Sequence, residues 1–238
     1  PLNNASQFHF MGNKNPLFDY KMHDSDNVIS LEVCDVEKDL GVYVDDKLNF
    51  SHHIQQCVTK ANKMVGIIRR TFRYLDEKML LLLYKSLIRP MLEDGVMIWN
   101  PQLKKDVHSV ERRRLTKLIP HLRNLSYEER LRRLNLPSLT YRRYRGDMIN
   151  TWKFLTGEYN IEESTIFIRS STKTRGHSKK LYKHRHFTNR RGNFFTQRVI
   201  RPWNELPEEV IAASNVNIFK KRLDEEWATK NFLYNYEL

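Results

Sequence analysis

The stretch "SHHIQQCVTKANKMVGIIRRTF", residues 51–72, determines the fold class because its apolar side chains recur at the spacing of a helix. Successive apolar positions lie three or four residues apart, which puts them on one face of an α-helix. These positions are Ile54, Cys57, Val58, Ala61, Met64, Val65, Ile68 and Phe72. Ser51 precedes them and is predicted to cap the helix, since serine can accept a hydrogen bond from the first turn.

Two further helices are predicted immediately after this one. The second runs from Asp76 to Arg89, where Pro90 interrupts it because proline has no N–H to donate. Residues 92–99 continue it after a kink. The third covers residues 105–119, with its aliphatic side chains inward and its arginines largely outward, and Pro120 ends it.

The next helices are marked by their end signals. Ser126 and Glu129 have the spacing of a capping box, in which each side chain binds the other residue's backbone N–H, and they precede a fourth helix. A fifth helix is predicted from about Ser138 to Thr156, with Gly157 as its C-terminal stop. Residues 158–192 lose helical periodicity and become polar and basic, which predicts a loop-rich segment.

The two ends of the chain complete the prediction of a mainly α protein. Residues 1–48 contain clusters of β-forming residues separated by turn residues, which predicts a short N-terminal β region. Residues 194–207 and 217–227 predict two short closing helices. We expect three domains: a β region at 1–50, a helical bundle at 51–157, and a basic, loop-rich extension with short helices at 158–238.

The positive charge of the chain is concentrated in two blocks. The net charge is +13, whereas residues 104–145 alone carry a net +9 and residues 169–201 a net +11 without any acidic residue. Such clustering predicts a polyanionic partner, and RNA, DNA or an RNA–DNA hybrid is the partner we expect. The alternative is a solvated basic face without a partner, although such faces usually contain interleaved acidic residues.

Two phosphate-contacting surfaces are predicted from these blocks. The first consists of Arg112, Arg113, Arg114, Lys117, Arg142, Arg143 and Arg145. The second consists of Lys179, Lys180, Lys183, Arg185, Arg190 and Arg191. Aromatic residues between cations can stack on unpaired bases, and Tyr182, His184 and His186 are candidates for that role or for packing. Trp152, Phe154, Phe194, Phe195, Trp203 and Trp227 lie at helical spacing with aliphatic residues and are expected in the core.

The sequence Tyr43-Val44-Asp45-Asp46 contains the paired aspartates with which reverse transcriptases hold catalytic magnesium. Two-metal chemistry requires carboxylates from separate parts of the chain. Together they hold two metal ions about 3.5–4 Å apart. Only 42 residues precede Tyr43, too few for the remaining strands of such a site. We therefore expect Asp45, Asp46 and Lys47 to form a turn between a strand and a helix.

No metal, cofactor or nucleophile site is predicted. His177, His184 and His186 are surrounded by cations without a nearby cysteine, which disfavours zinc. Cys34 and Cys57 are isolated, which favours buried thiols in a reducing compartment. There is no glycine-rich phosphate loop, no signal-peptide pattern and no apolar run long enough for a membrane span, so we expect an intracellular protein without a membrane partner.

Eight segments in series carry a resemblance to a known family. They are "DLGVYVDDKLNFSHHI" (39–54), "KANKMVGIIRRTF" (60–72), "LYKSLIRPMLEDGVMIWNP" (83–101), "VERRRLTKLIP" (110–120), "YEERLRRLNLPSLTYRRYRGDMI" (127–149), "TRGHSKKLYKHR" (174–185), "FFTQRVIRPWNELPEEVI" (194–211) and "FKKRLDEEW" (219–227). In order and spacing they resemble the region after the catalytic core in reverse transcriptases of non-LTR retrotransposons, the Jockey-like branch. The resemblance covers nearly the whole chain.

This resemblance implies a role in nucleic-acid contact without catalysis. In the family, the magnesium-binding aspartates lie well upstream of the "DLGV" segment, in a motif that is not in this chain. The residues up to 50 are similar to the end of the palm, those from 52 onward to the thumb that grips the template–primer duplex, and the remainder to the C-terminal extension. Magnesium is expected only with the missing palm, and the rest of the reverse transcriptase is an expected partner. A nuclear location follows from the life cycle of such elements.

Two other hypotheses stay open at this point. The chain by itself can be an active polymerase, or it can be a protein-interaction module or transposon-derived relic without a nucleic-acid role.

Overall fold

The fold is described here from a computed structural model, over residues 7–9, 18–24, 27–111, 114–171, 176–228, 230 and 232–234. The protein is mainly α-helical with a short β region at its N-terminal end, which confirms the predicted fold class. No helix in the described part of the chain combines the length and apolar character needed to cross a membrane.

Among the described residues before the first helix, six short strands form three two-stranded sheets. Strands β1 (Gln7–His9) and β4 (Glu32–Cys34) pair in parallel. Strands β2 (Lys21–Asp24) and β3 (Asn27–Ser30) form an antiparallel hairpin, as do β5 (Val36–Asp39) and β6 (Val42–Asp45). The last hairpin contacts the first helix, so it joins the β region to the helical core.

The first helix, α1 (Ser51–Thr71), buries Ile54, Ala61 and Ile68, as its apolar spacing predicts. The predicted cap at Ser51 is wrong, because Phe50 occupies the N-cap position in a left-handed conformation with φ 58°. The Ser51 hydroxyl instead donates to Asp106 Oδ2 at 2.6 Å and ties α1 to a later helix.

Pro90 does not interrupt the next helix, because the helix widens before it. Helix α2 (Glu77–Leu83) passes through a π-helical turn (Tyr84–Ile88) into α3 (Arg89–Glu93). A π turn shifts the hydrogen bonds by one residue, and proline then stands in the first turn of the new segment, where its missing N–H has no consequence. Helix α4 (Val96–Trp99) follows a left-handed Gly95.

The predicted third helix is shorter than expected. Helix α5 spans Lys104–Val110 and ends at Glu111, whose backbone is extended. Two 3₁₀ turns follow, at Leu115–Lys117 and Pro120–Leu122. The reason for the break is the buried Glu111 side chain, which binds groups on two later helices instead of lying along the surface of a continuous helix.

The predicted capping box is confirmed at the next helix, α6 (Tyr127–Arg133). Ser126 Oγ accepts from the Glu129 N–H at 3.3 Å, and Glu129 Oε2 accepts from the Ser126 N–H at 2.8 Å. Helix α7 (Leu139–Leu155) also matches its prediction, with Ser138 as its cap and Gly157 in a left-handed conformation just after its end.

The C-terminal part consists of loops and short helices around one longer helix, in agreement with the expected loop-rich extension. Helices α8 (Glu163–Ile166), α9 (Asn189–Gly192), α10 (Phe195–Arg198), α11 (Ile200–Asn204), α12 (Glu208–Ile211) and α13 (Val216–Ala228) follow in order. The described core aromatics Trp152, Phe154, Trp203 and Trp227 are buried as predicted, while Phe194 and Phe195 are half-buried.

The described residues form two hydrophobic clusters that pack the helices together. One lies among α1 to α6 and extends to Leu139 at the start of α7. The other joins the rest of α7 to the C-terminal helices, with Trp152 stacked on Phe219 at 5.6 Å between ring centroids. Hydrophobic packing therefore divides near residue 140, whereas the domain boundaries placed at 50 and 157 stay predictions.

A candidate nucleic-acid interface

The Asp45 carboxylate serves the turn between β6 and α1. Its Oδ1 accepts from the N–H groups of Lys47 and Asn49, both at 3.0 Å, and its Oδ2 accepts from the Phe50 N–H at 2.7 Å. Asp46 is exposed beside it. The two carboxylates thus belong to a strand-to-helix turn, as predicted, and the described residues contain no group of three side chains suited to a metal ion.

The histidines of the basic extension do not converge on one point. His177 is buried, and its Nε2 donates to the Trp203 carbonyl at 3.0 Å while its Nδ1 accepts from the Lys179 N–H at 3.2 Å. Burial lowers the pKa of His177. His184 is exposed and its ring meets Tyr182 edge-on at 5.1 Å. His177 therefore has a structural role, because it links the Trp203 carbonyl to the Lys179 N–H.

His53 and Cys57 resemble a catalytic pair in distance only. Cys57 Sγ lies 3.3 Å from His53 Nε2, but His53 Nδ1 accepts from the Tyr43 N–H at 3.3 Å. In a neutral imidazole the proton must then be on Nε2, which points it at the sulfur and leaves no base for the thiol. Burial lowers the pKa of His53 and raises the pKa of Cys57, so neither group is activated.

The first predicted surface is only partly exposed. Arg114 and Lys117 are exposed on the segment that contains the first 3₁₀ turn, while Arg112 and Arg113 lie outside the described residues. Arg123 Nε donates to the Lys117 carbonyl at 3.1 Å and adds a third exposed cation to that segment.

The α7 arginines of the first surface are held by intramolecular contacts. Arg142 makes a two-point ion pair with Glu93, with Nη2 to Oε2 at 2.8 Å. Arg145 makes a two-point pair with Asp224, at 2.6 and 2.8 Å. The Tyr141 hydroxyl also donates to Asp224 at 3.1 Å, and burial together with that carboxylate raises the pKa of Tyr141 to about 12. These two arginines therefore fasten α7 to α3 and α13.

Arg143, the remaining predicted arginine, is buried with 5% of its surface exposed. Its Nη2 donates to Thr140 Oγ1 at 2.8 Å, and its Nη1 has no hydrogen-bond partner among the described residues. Burial lowers its pKa, although Glu111 and Asp147 favour the charged form. Arg143 forms part of the wall of a cavity of about 470 Å³, which we call the Arg143 cavity.

The wall of the Arg143 cavity also contains a saturated ion pair. Arg198 Nε and Nη2 donate to the two carboxylate oxygens of Asp147 at 2.8 and 2.9 Å. Arg198 also donates to the carbonyls of Met97 and Asn193, both at 3.0 Å. Arg198 is thus paired with Asp147, and Arg143 and Lys104 add further positive charge to the wall.

The second predicted surface is presented by an anchored loop. The Leu181 backbone exchanges two hydrogen bonds with the Asn204 amide, at 2.8 and 2.9 Å, and Leu181 is buried. Trp203 Nε1 donates to the Lys179 carbonyl at 2.9 Å. These contacts, together with His177, fix one end of the loop on α11, and Asn204 and Trp203 are residues that the charge pattern alone gave no reason to select for this role.

Beyond the anchor the chain exposes cations and aromatic rings together. Lys183, Arg185 and Arg191 are exposed, whereas Lys179, Lys180 and Arg190 are half-buried. Tyr182 is 51% exposed and Phe187 is 95% exposed, while His186 is half-buried. We call residues 182–191 the basic loop.

The basic loop leads to a second cavity beside the first. This cavity of about 510 Å³ includes Arg190 in its wall and shares Gln102 and Asn193 with the Arg143 cavity. The structure thus brings Arg143 and Arg190, one from each predicted surface, to neighbouring cavities. Gln102, Lys104 and Asn193 were not predicted, because no pattern in the sequence sets these polar residues apart from others.

Comparison with known proteins finds a similar chain whose own function is not described. The chain is 28% identical over 139 residues to uncharacterized protein B0403.1 of Caenorhabditis elegans, an alignment that covers 56% of this chain and 70% of that protein. No protein-family model matches the chain, and no solved structure matches it.

Proposed function

We propose that this chain binds RNA or RNA–DNA duplex without sequence specificity, as the C-terminal part of a non-LTR retrotransposon reverse transcriptase. The observation that carries the proposal is the basic loop, which exposes Lys183, Arg185 and Arg191 with Tyr182 and Phe187 and contains no acidic residue. The resemblance of the sequence to the thumb and extension of that family supports the same function.

The chemistry of the basic loop suits a phosphate backbone. Within the described part of the chain, Lys183 and Arg185 form no ion pair, so their charges are available to phosphates. An exposed aromatic ring can stack on any unpaired base, because every base has a π face. Phosphate contacts position a strand without reading its sequence, which is the requirement for a protein that moves along any template.

The surface with Arg114, Lys117 and Arg123 is the second candidate contact. In this proposal Arg142 and Arg145 do not bind phosphates. They stabilise the fold through their ion pairs with Glu93 and Asp224. Catalysis and its magnesium belong to the palm of the same enzyme, and we assign no catalytic residue here. A nuclear location is part of the proposal, since such elements copy themselves into chromosomal DNA.

The test is the affinity of the chain for a fluorescently labelled RNA–DNA hybrid at 50 to 200 mM salt, with and without magnesium. With six or more phosphate contacts, affinity should fall about a thousandfold across that range and should not depend on sequence. Salt-insensitive or undetectable binding would exclude the proposal. Primer extension by the isolated chain would instead support an active polymerase.

A triple variant locates the contact. Lys183→Gln, Arg185→Gln and Arg191→Gln together should reduce the slope of log affinity against log salt by about 3, since each phosphate contact contributes roughly 0.9. The matched control is Lys220→Gln, Lys221→Gln and Lys230→Gln, which removes the same charge from a part of the chain where Glu225 and Glu226 already pair with lysines. An equal loss in both triples would mean that net charge, and not the basic loop, drives binding.

The protein-interaction alternative rests on the β region. Val28, Val33 and Leu40 are 58%, 58% and 97% exposed, one on or beside each of the three small sheets. A chain that binds no hybrid but elutes as a complex with a second protein, and loses that complex when these three residues are replaced by serine, would favour that alternative.

A further inference from the structure

The Arg143 cavity has in its wall a buried guanidinium that is only partly hydrogen-bonded, although Glu111 and Asp147 favour its charged form. Only 5% of the Arg143 surface is exposed, yet its Nη1 has no hydrogen-bond partner among the described residues. Leaving a buried guanidinium N–H without an acceptor is costly, and native structures rarely do so without a reason. Since Nη1 is itself sealed from solvent, an anionic oxygen inside the cavity would satisfy this group after a small movement of the guanidinium.

Three separate stretches of the chain form the cavity, which gives it a defined shape. Helix α7 provides Arg143 and Tyr144, the start of α5 provides Lys104 and His108, and the segments around α4 and α9 provide amides. Arg198 holds the α9–α10 segment to α7 and α4 through Asp147 and the carbonyls of Asn193 and Met97. The site is therefore built by packed elements and not by a single loop.

The size and chemistry of the wall identify the occupant. A volume of about 470 Å³ lies in the range of small-ligand sites, roughly 300–1,000 Å³. Arg143 and Lys104 supply positive charge, Tyr144 supplies an aromatic face, and Gln102 and Asn193 supply amide groups that can hydrogen-bond a base. This combination of cation, aromatic ring and amide matches a single nucleotide better than a bare anion.

We propose that the Arg143 cavity receives one unpaired nucleotide of the bound strand, with its phosphate on Arg143 and Lys104 and its base against Tyr144. This inference rests on the proposed nucleic-acid binding and adds a preference for substrates with a single-stranded end. The second cavity, which contains Arg190 and shares Gln102 and Asn193, gives the strand a continuous path toward the basic loop.

The first experiment compares a blunt RNA–DNA hybrid with the same hybrid carrying a short single-stranded overhang. We expect roughly tenfold tighter binding of the overhang substrate, the amount that stacking of one base on an aromatic ring provides. Tyr144→Ala should abolish this preference without changing affinity for the blunt hybrid, and Tyr144→Phe should retain it. Equal affinity of the wild-type chain for the two substrates overturns the inference while leaving the proposed function intact.

Arg143→Met separates a ligand-binding role from a structural one. If Arg143 serves the ligand, removing its only partly hydrogen-bonded guanidinium should leave the melting temperature unchanged or higher, and the overhang preference should disappear. If Arg143 is structural, the melting temperature should fall and the preference of the folded variant should persist, which overturns the assignment.

A measurement without nucleic-acid polymers distinguishes failure of the cavity from failure of the wider proposal. At about tenfold excess over its dissociation constant, a mononucleotide such as AMP should raise the melting temperature by about 3–6 °C, and adenosine should not. If AMP raises the melting temperature of a chain that binds no hybrid, the result supports nucleotide binding in the cavity but not the proposed function. An equal rise with inorganic phosphate reduces the site to an anion site and overturns the nucleotide assignment, as does no rise with either.

Discussion

Glu111 and Thr140, 29 residues apart in the chain, are joined by two hydrogen bonds that fix the start of α7. Glu111 Oε1 accepts from the Thr140 N–H at 2.9 Å and from its hydroxyl at 3.2 Å, while Oε2 accepts from the Leu139 N–H and the Tyr127 hydroxyl. A negative charge at a helix N-terminus is favoured by the helix dipole and satisfies N–H groups that have no partner within the helix. One side chain therefore joins α5, α6 and α7.

Replacing Glu111 should destabilise the protein strongly. We expect Glu111→Ala to lower the free energy of unfolding by about 2–4 kcal/mol, because it leaves two backbone N–H groups and a tyrosine hydroxyl buried without their acceptor. Glu111→Gln should have a smaller effect, since it keeps one acceptor oxygen. Urea denaturation followed by circular dichroism measures both.

The control is Glu225→Ala, which removes an exposed carboxylate whose pairing with Lys221 spans 3.9 Å. Its effect should stay within about 0.5 kcal/mol. Similar values for Glu111→Ala and Glu225→Ala would show that the interactions of Glu111 do not stabilise the fold.

The adjacent residues Asp45 and Asp46, at the end of β6, should contribute very differently to the stability of the fold. Asp45→Ala removes the acceptor for three backbone N–H groups and should lower the free energy of unfolding by about 1–3 kcal/mol. Asp46→Ala, one residue on and exposed, should change it by less than about 0.5 kcal/mol. Thermal denaturation of the two variants measures this difference in stability. A metal-dependent activity that both substitutions abolish would instead show that the two aspartates are catalytic.

Local signals predicted the helices whose ends and faces are determined within a few residues. Helix α1 follows from its apolar spacing, α6 from the capping box of Ser126 and Glu129, and α7 from Ser138 and Gly157. The break after α5 was not predictable in this way, because the partners of Glu111 lie 28 and 29 residues away on another helix.

The same limit applies to the candidate interface. Charge density along the sequence selected the residues of the basic loop, of which Lys183, Arg185 and Arg191 are exposed, and it gave the α7 arginines the same weight. The acidic partners of Arg142 and Arg145 lie 49 and 79 residues away, so no local pattern marks these charges as internal. The cavity at Arg143 depends on three separated segments and is visible only after folding.

The Asp147–Arg198 pair should show strong coupling in a double-mutant cycle. Burial raises the pKa of the Asp147 carboxyl, and Arg198 acts against that rise. Asp147→Leu alone leaves a largely buried guanidinium without its anion, and Arg198→Met alone leaves a buried carboxylate, so each should lower the free energy of unfolding by about 3–5 kcal/mol.

The combined loss of stability in the double variant should be about 2 kcal/mol smaller than the sum of the two single losses, because neither member of the pair is left buried without the other. Chemical denaturation of the wild type, both single variants and the double variant completes the cycle. Additive losses would mean that the two side chains act independently, in contrast to their two hydrogen bonds of 2.8 and 2.9 Å.

His177 should make the anchor of the basic loop sensitive to acid. Burial lowers the pKa of His177 in the folded chain below its value in the unfolded chain, so at intermediate pH the unfolded chain binds more protons. The stability contribution is then complete above about pH 6.5 and is lost as pH falls from the unfolded pKa toward the folded one. Protonated Nδ1 also cannot accept from the Lys179 N–H, which loosens the loop at its fixed end.

We therefore expect the melting temperature to fall between pH 7.5 and pH 5.5, and His177→Gln to reduce that fall. The remaining dependence should come in part from His53, whose pKa is lowered for the same reason, so the His53→Gln, His177→Gln double variant should have the flattest profile. His184→Gln is the matched control, because this histidine is exposed in the same loop and should leave the profile unchanged. If His177→Gln and His184→Gln give the same profile as the wild type, protonation of His177 has no part in the acid sensitivity of the loop.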